Sequence, residues 1–319
     1  MSRHLTIGIV LLALLTAGGI TGAASEPVQA TGPDPVVWSR LQFRAATFMS
    51  KASIDVTLQP LDAAEAEAHF LSAGDRNVVS PPGNQIRLIS SHIVVDHFMW
   101  PVEDVNVQVW FAPENAAALQ RIWTRSGAKM FIKRYRFTRQ GVYRNRSEPE
   151  TGQEAKLDWK QWTNIKERFF PHPNAACSQV TDPLVLLHVV SSARDLMHQQ
   201  PMQLCAFHKK VVHRVALIPR GKTELAVNFI ERTGSDEIRR SEKIQTVNVS
   251  VNAAPLDPST DEVDRFSFLG LRGDIIIYLD PRSGIPVQVS GDIPVIGRVD
   301  FKLQAVWLRA DTSNWRMGE

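Results

Sequence analysis

Between Arg121 and Arg146 the chain carries nine Lys or Arg residues, at 121, 125, 129, 133, 134, 136, 139, 144 and 146, and no acid. Phe131, Tyr135, Phe137 and Tyr143 are interleaved with them. Cations held this densely attract anions. Arg125, Lys129, Lys133, Arg134, Arg136 and Arg139 are therefore the anion-binding candidates, for a phosphorylated lipid headgroup or an acidic polysaccharide. The competing reading is a charged sheet edge that deters aggregation. A net charge of +3 over 319 residues is too small to indicate nucleic acid as the partner.

Other chemistry is sparse. There is no G-x-S-x-G elbow, S-x-x-K motif, P-loop or G-x-G-x-x-G. His188 and His198, and likewise His208 and His213, lack the i, i+4 spacing that sets two imidazoles on one helical face, so neither a metal site nor a cofactor is expected. Asp96, His97 and His172 are the residues from which a hydrolase site acting on envelope polymer would have to be assembled. No catalytic residue is assigned. Trp100, Trp110, Trp123, Trp159, Trp162 and Trp307 suit a packed core, or the lining of a cavity.

The elements that must position these residues are strands. Val105, Val107 and Val109 alternate with amides, and Val247, Val249 and Val251 alternate with Asn248 and Ser250. Val299, Phe301, Leu303, Ala305 and Trp307 are predicted to share one face. Strands with one dry face belong to antiparallel sheets. The turn-forming stretches Pro219-Arg-Gly-Lys222 and Asp280-Pro-Arg-Ser-Gly284 predict two hairpins, and Ser147–Lys156 a linker. Asp182-Pro183 reads as an N-cap followed by Pro at the first helical position, which predicts one main helix over about 183–198. A shorter helix is expected over Ala63–Leu71. The expected fold is thus mainly β: an antiparallel half-open barrel or strongly curved sheet with the 183–198 helix packed against it. Val107–Trp123 and Ile275–Ser290 share a strand, X-Pro, turn, strand pattern, which raises two half-barrel repeats meeting near 147–180.

The N-terminus has Arg3 and His4, an uncharged run from Leu5 to Ala17, and small residues from Gly18 to Ala24. This order reads as a signal peptide over 1–24 cleaved near Ala23-Ala24, leaving one β-rich periplasmic domain over 25–319. No cysteine lies near the leader, so no lipid anchor is expected there, and no later segment reads as a transmembrane anchor. Cys177 and Cys205 are the two cysteines, and in an oxidising compartment they are expected to form a disulfide.

Trp110-Phe-Ala-Pro113, Leu119-Gln-Arg121, Lys133-Arg-Tyr-Arg-Phe137, Gly141-Val-Tyr-Arg144 and Leu279-Asp-Pro281 with Pro286-Val287 also carry a resemblance. Together they are similar to an exported bacterial family known as a domain of unknown function. The resemblance spans about 85–308. It implies a half-open antiparallel β-barrel, similar to envelope lipoprotein carriers, wrapped around a helix. The chain departs from the pattern at Ala112, where Asp-Pro would be expected. No catalytic residues carry over. The expectation is a periplasmic protein that binds an apolar or amphipathic envelope molecule, of lipid or lipoprotein type, or an anionic glycan. A hydrolase or a scaffold of an envelope complex stands as the alternative.

Overall fold

The computed structural model describes residues 36–47, 50–74, 76–97, 100–127, 129–172, 177–193, 201–257, 266–294 and 296–309. The leader over 1–24 and residues 194–198 of the expected helix lie outside the described residues. Fourteen strands follow in chain order: β1 (Trp38–Ala46), β2 (Ser50–Asp62), β3 (Gln85–His97), β4 (Trp100–Phe111), β5 (Ala118–Ser126), β6 (Phe131–Thr138) and β7 (Gly141–Glu148), then β8 (Asn164–Pro171), β9 (Met202–His208), β10 (Val211–Thr233), β11 (Asp236–Pro255), β12 (Arg272–Leu279), β13 (Pro286–Ile293) and β14 (Gly297–Leu308). They form one sheet in the order β8-β7-β6-β5-β4-β3-β2-β1-β14-β13-β12-β11-β10-β9. Apart from one seam all pairings are antiparallel. That seam joins Ile230–Arg232 of β10 in parallel to Ala305–Trp307 of β14. It closes β10 through β14 into a ring, while β1 to β8 curve away as an open wall.

The sheet is mainly β because apolar and polar residues alternate along its strands, and one face is dry. Leu41 and Phe43 of β1, Ile54, Val56 and Leu58 of β2, Ile89 of β3, and Val107, Val109 and Phe111 of β4 are all buried in a single core. Strand register places them on one face: Ile54 opposes Ile93, Val56 opposes Ser91, and Ile89 opposes Val109. The two sheet edges, β8 and β9, meet through rings rather than a hydrogen-bond ladder. Phe207 of β9 has Phe170, Tyr135 and Phe137 around it at centroid distances of 5.7, 5.9 and 6.2 Å.

The main helix fills the concave side. Asp182 caps its start, Oδ1 accepting from Leu184 N at 2.9 Å. One 3-10 turn (Pro183–Val185) leads into α2 (Leu186–Ser192), whose residues from Leu186 to Ser191 are all buried. A helix buried all round must be surrounded by sheet, which is why its sequence shows no polar stripe. Trp38 Nε1 donates to Ser191 Oγ at 3.0 Å, and Phe111 lies 4.9 Å from the His188 ring. The first helix, α1 (Ala63–Glu67), is shorter than its sequence suggests and stops before His69. Cys177 and Cys205 are bonded, with a Cα–Cα distance of 6.0 Å, and so tie the approach to α2 onto β9.

Two sequence expectations change. Pro219-Arg-Gly-Lys222 is not a hairpin: β10 runs through it, and the reversal falls at Gly234-Ser235. Pro219 opposes Val249 and Lys222 opposes Val247, three residues against two, with Gly221 at φ 94°. Pro and Gly serve bulges as well as turns, and this bulge lets the far half of β10 reach β14. Second, Trp307 does not share the inner face. Gln42 opposes Ala305 but Phe43 opposes Leu303, so the extra residue on β14 reverses the alternation. Trp307 instead stacks under Arg40 at 4.3 Å and Arg232 at 5.0 Å. The stretch after Ser147 leads through two 3-10 turns, Glu154–Lys156 and Trp159–Gln161, into β8, which pairs with β7.

The two X-Pro turns are built alike. Ala112 N donates to Ala117 O at 2.9 Å, and Asp280 N donates to Ile285 O at 2.9 Å. Asn115 Oδ1 accepts from Ala117 N, and at the equivalent place Ser283 Oγ accepts from Ile285 N. Ala116 and Gly284 both have positive φ, 57° and 70°. Ala112 therefore lacks the counterparts of the Asp280 Oδ1 bond to Arg282 N and the Asp280 Oδ2 pair with Arg240, and the hairpin is retained.

Candidate functional site

Register divides the basic segment between two faces. Trp123 opposes Lys133, which opposes Arg146; Arg121 opposes Tyr135, which opposes Arg144; Arg125 opposes Phe131. Val109 opposes Arg121, and Val105 opposes Arg125. Arg121, Arg125, Lys133, Arg144 and Arg146 thus occupy the face that is apolar core on β1 to β4. This is the concave side, with Lys166 and Arg168 continuing it on β8. Of the anion-binding candidates, Arg125 and Lys133 lie here. Arg134 and Arg136 lie on the convex face, where Arg136 donates to Leu119 O at 2.7 Å and covers the Phe70 ring, and Arg134 covers Trp159. Burial lowers the Arg136 guanidinium to about 10 and also lowers that of Arg134. Lys129 is exposed in the β5–β6 turn, and Arg139 in the β6–β7 turn at the opposite end of the strands. The six do not form one strip, because neighbouring strand residues point to opposite faces. Arg121, Arg144 and Arg146 belong to the site although they were not among the candidates. Their shared parity across β5, β6 and β7 becomes visible only once the register is known.

The concave wall grades from dry to wet. At its inner end Arg121 NH1 donates to Asp182 Oδ2 at 3.1 Å, both side chains being almost fully buried, so the cap of the 3-10 turn leading into α2 is also the counter-ion of the wall. Burial raises the Asp182 carboxyl, opposed by Arg121. Toward the outer end Lys133, Arg144 and Arg146 are half-buried, as are the apolar Ile93, Val105 and Trp123 beside them. Arg125 pairs with Glu103, and Arg146 with Glu148. Glu148 also takes Lys166 at 3.0 Å. Lys133 has no carboxylate partner among the described residues. Its Nζ sits 4.2 Å from the ring centres of both Trp123 and Phe131. Burial, then Arg146, Arg144, Arg121 and Arg125, lowers its ammonium from 10.5 to about 7. Tyr135 is pushed up by burial. The wall is short of acceptors: Nε of Arg121, Arg125, Arg144 and Arg146 and the Trp123 indole N–H are screened from water and make no hydrogen bond in the structure. A face of donors without acceptors is disposed to take an anion.

The histidines and acids proposed for hydrolysis are not brought together. Asp96 and His97 end β3, at the outer end of the wall, whereas His172 follows β8 at the other end, its N donating to Gln140 O at 3.1 Å. His208 and His213 are buried against Phe266, and burial, followed by Arg121, holds His208 well below its ordinary value. Among the described residues no group of three or more His, Cys, Asp or Glu is arranged to hold a metal, and no helix is long and apolar enough to cross a membrane.

The fold defines a class, a half-open antiparallel β-barrel with a helix in its concavity and a cationic, aromatic wall beside it. Within it the chain is similar in structure to a β-barrel-like protein of a domain of unknown function, DUF1849, from Brucella abortus. The TM-score is 0.44 at 9% sequence identity, over 86% of this chain and 98% of that one. No family model matches the chain. No curated protein matches it.

Proposed function

We propose that this protein binds an amphipathic molecule of the cell envelope, of lipid or lipoprotein acyl type, with its anionic head against the cationic wall. The carrying observation is the placement of Arg121, Arg125, Lys133, Arg144 and Arg146 on the concave face, which on β1 to β4 carries core side chains. Asp182, Glu103 and Glu148 answer Arg121, Arg125 and Arg146, and a negative group at Lys133 and Arg144 would offset the cost of the remaining charge. Ile93, Val105 and Trp123, half-buried at the same end, supply apolar surface for a chain. An N-terminal leader and a disulfide fit a periplasmic setting, where such amphiphiles occur.

The test is titration of the purified mature chain with dodecyl phosphate and with uncharged dodecyl maltoside, read by Trp fluorescence. The anionic amphiphile binds at least about tenfold more tightly, in proportion to the charge contacts involved, and loses affinity with salt. The Arg144→Gln variant narrows the gap. Equal affinity for both amphiphiles, or no binding with nothing recovered by organic extraction of protein from the periplasm, overturns the reading.

A further inference from the structure

The ligand reading uses Lys133 only as a positive charge, but its surroundings are poor for one. Its sheet neighbours are Trp123 on one side and Arg146 on the other, with Arg121, Arg125, Arg144 and Glu148 on the diagonals. Direct and diagonal partners on one face lie within about 5 to 8 Å. The acids of this face, Glu103 and Glu148, are engaged by Arg125 and by Arg146 with Lys166. Tyr135 and Arg168 complete the set. The amine therefore faces two aromatic rings and four guanidinium groups, is half-exposed, and forms no ion pair, the diagonal Glu148 being held by Arg146 and Lys166.

We infer that Lys133 is a reactive amine that forms a reversible imine with a carbonyl compound bearing an anionic group, the anion being held by the surrounding guanidiniums. Burial beside like charge is a recognised route to a nucleophilic lysine. The free amine attacks the carbonyl carbon, and the carbonyl oxygen takes up protons and departs as water. A C=N bond remains that carries the substrate carbon on Nζ. Hydrolysis returns amine and carbonyl, so no oxidant or reductant is consumed. With the ammonium lowered to about 7, roughly half of Lys133 is free amine at neutral pH, against less than about one part in a thousand for an ordinary lysine. The inference rests on the same wall as the amphiphile reading but requires the amine itself.

The probe is pyridoxal 5′-phosphate, which joins an aldehyde to a phosphate, incubated with the intact folded chain at pH 7. Borohydride then fixes the imine, and peptide mass spectrometry locates it. Lys133 is expected to label at least tenfold faster than the exposed Lys129, Lys160 and Lys166. Its rate should rise through pH 7 and level off, while rates at the other lysines continue to climb. Inorganic phosphate should slow labelling at Lys133 alone. Even labelling across the lysines, or a Lys133 rate still climbing above pH 9, overturns the inference, and the wild-type chain alone suffices to show either. Lys133→Arg should lose the adduct yet still bind dodecyl phosphate. Amphiphile binding without a Lys133 adduct would reject the amine and leave the amphiphile reading standing; the adduct without amphiphile binding would do the reverse.

Discussion

Replacing Lys133 with methionine should make the protein more stable and less able to bind anions. Methionine keeps the length of the side chain and its contacts with Trp123 and Phe131 but removes the charge. The ammonium is lowered from 10.5 to about 7, which corresponds to an upper bound of about 5 kcal/mol against the charged form. Water still reaches part of the side chain and screens the guanidiniums, so a working figure is about 2 kcal/mol. In a chain of this size that is a rise in Tm of about 3 °C. The sign follows from proton binding. Below pH 7 Lys133 is protonated in both folded and unfolded states, and the full cost falls on the fold. Between pH 7 and 10.5 only the unfolded state holds the proton, so wild-type stability rises with pH. The advantage of the variant is therefore greatest at pH 5 to 6 and fades toward pH 10. Thermal melts across that range, paired with dodecyl phosphate titrations, measure both halves. A variant that melts lower than wild type at pH 6, or binds the anion unchanged, refutes the electrostatic account of this wall.

Four further outcomes follow from named contacts. Asp182→Ala strands Arg121 and uncaps the 3-10 turn leading into α2, and should cost about 3 to 5 kcal/mol by chemical denaturation, while Arg121→Met with Asp182→Asn together cost less. Reduction of Cys177–Cys205, or its replacement by serines, should lower stability by about 3.5 kcal/mol, the loop-closure value for a separation of 28 residues. Gly284→Ala should destabilise by about 1 to 3 kcal/mol, since φ is 70° and a Cβ would stand 2.7 Å from Ser191 O. Its counterpart Ala116→Gly should be neutral or stabilising by up to about 1 kcal/mol, because Ala116 already holds φ 57°; a clear loss there would show that the two turns are not energetically alike.

The sequence alone determined what local pattern can determine. Alternation at Val105–Val109 and Val247–Val251 specified antiparallel strands, Asp182-Pro183 specified a helix start, and Asp280-Pro281 specified a hairpin, because each depends on a few adjacent residues. The cysteines had only each other to bond. Where one local signal serves two structures, the pattern misleads: the Pro-Gly stretch at 219–222 is a bulge, and one extra residue in β14 turns Trp307 outward. The basic segment shows the deeper limit. Its charge is plain, but a cation's face depends on which residue of the next strand lies opposite. Pairing Trp123 with Lys133 and Lys133 with Arg146 is a property of the assembled sheet. Only the tertiary structure could place Arg121, Lys133, Arg144 and Arg146 on the concave wall and send Arg134 and Arg136 to the outside, since hydrogen bonding across strands, not sequence distance, sets which side chains are neighbours.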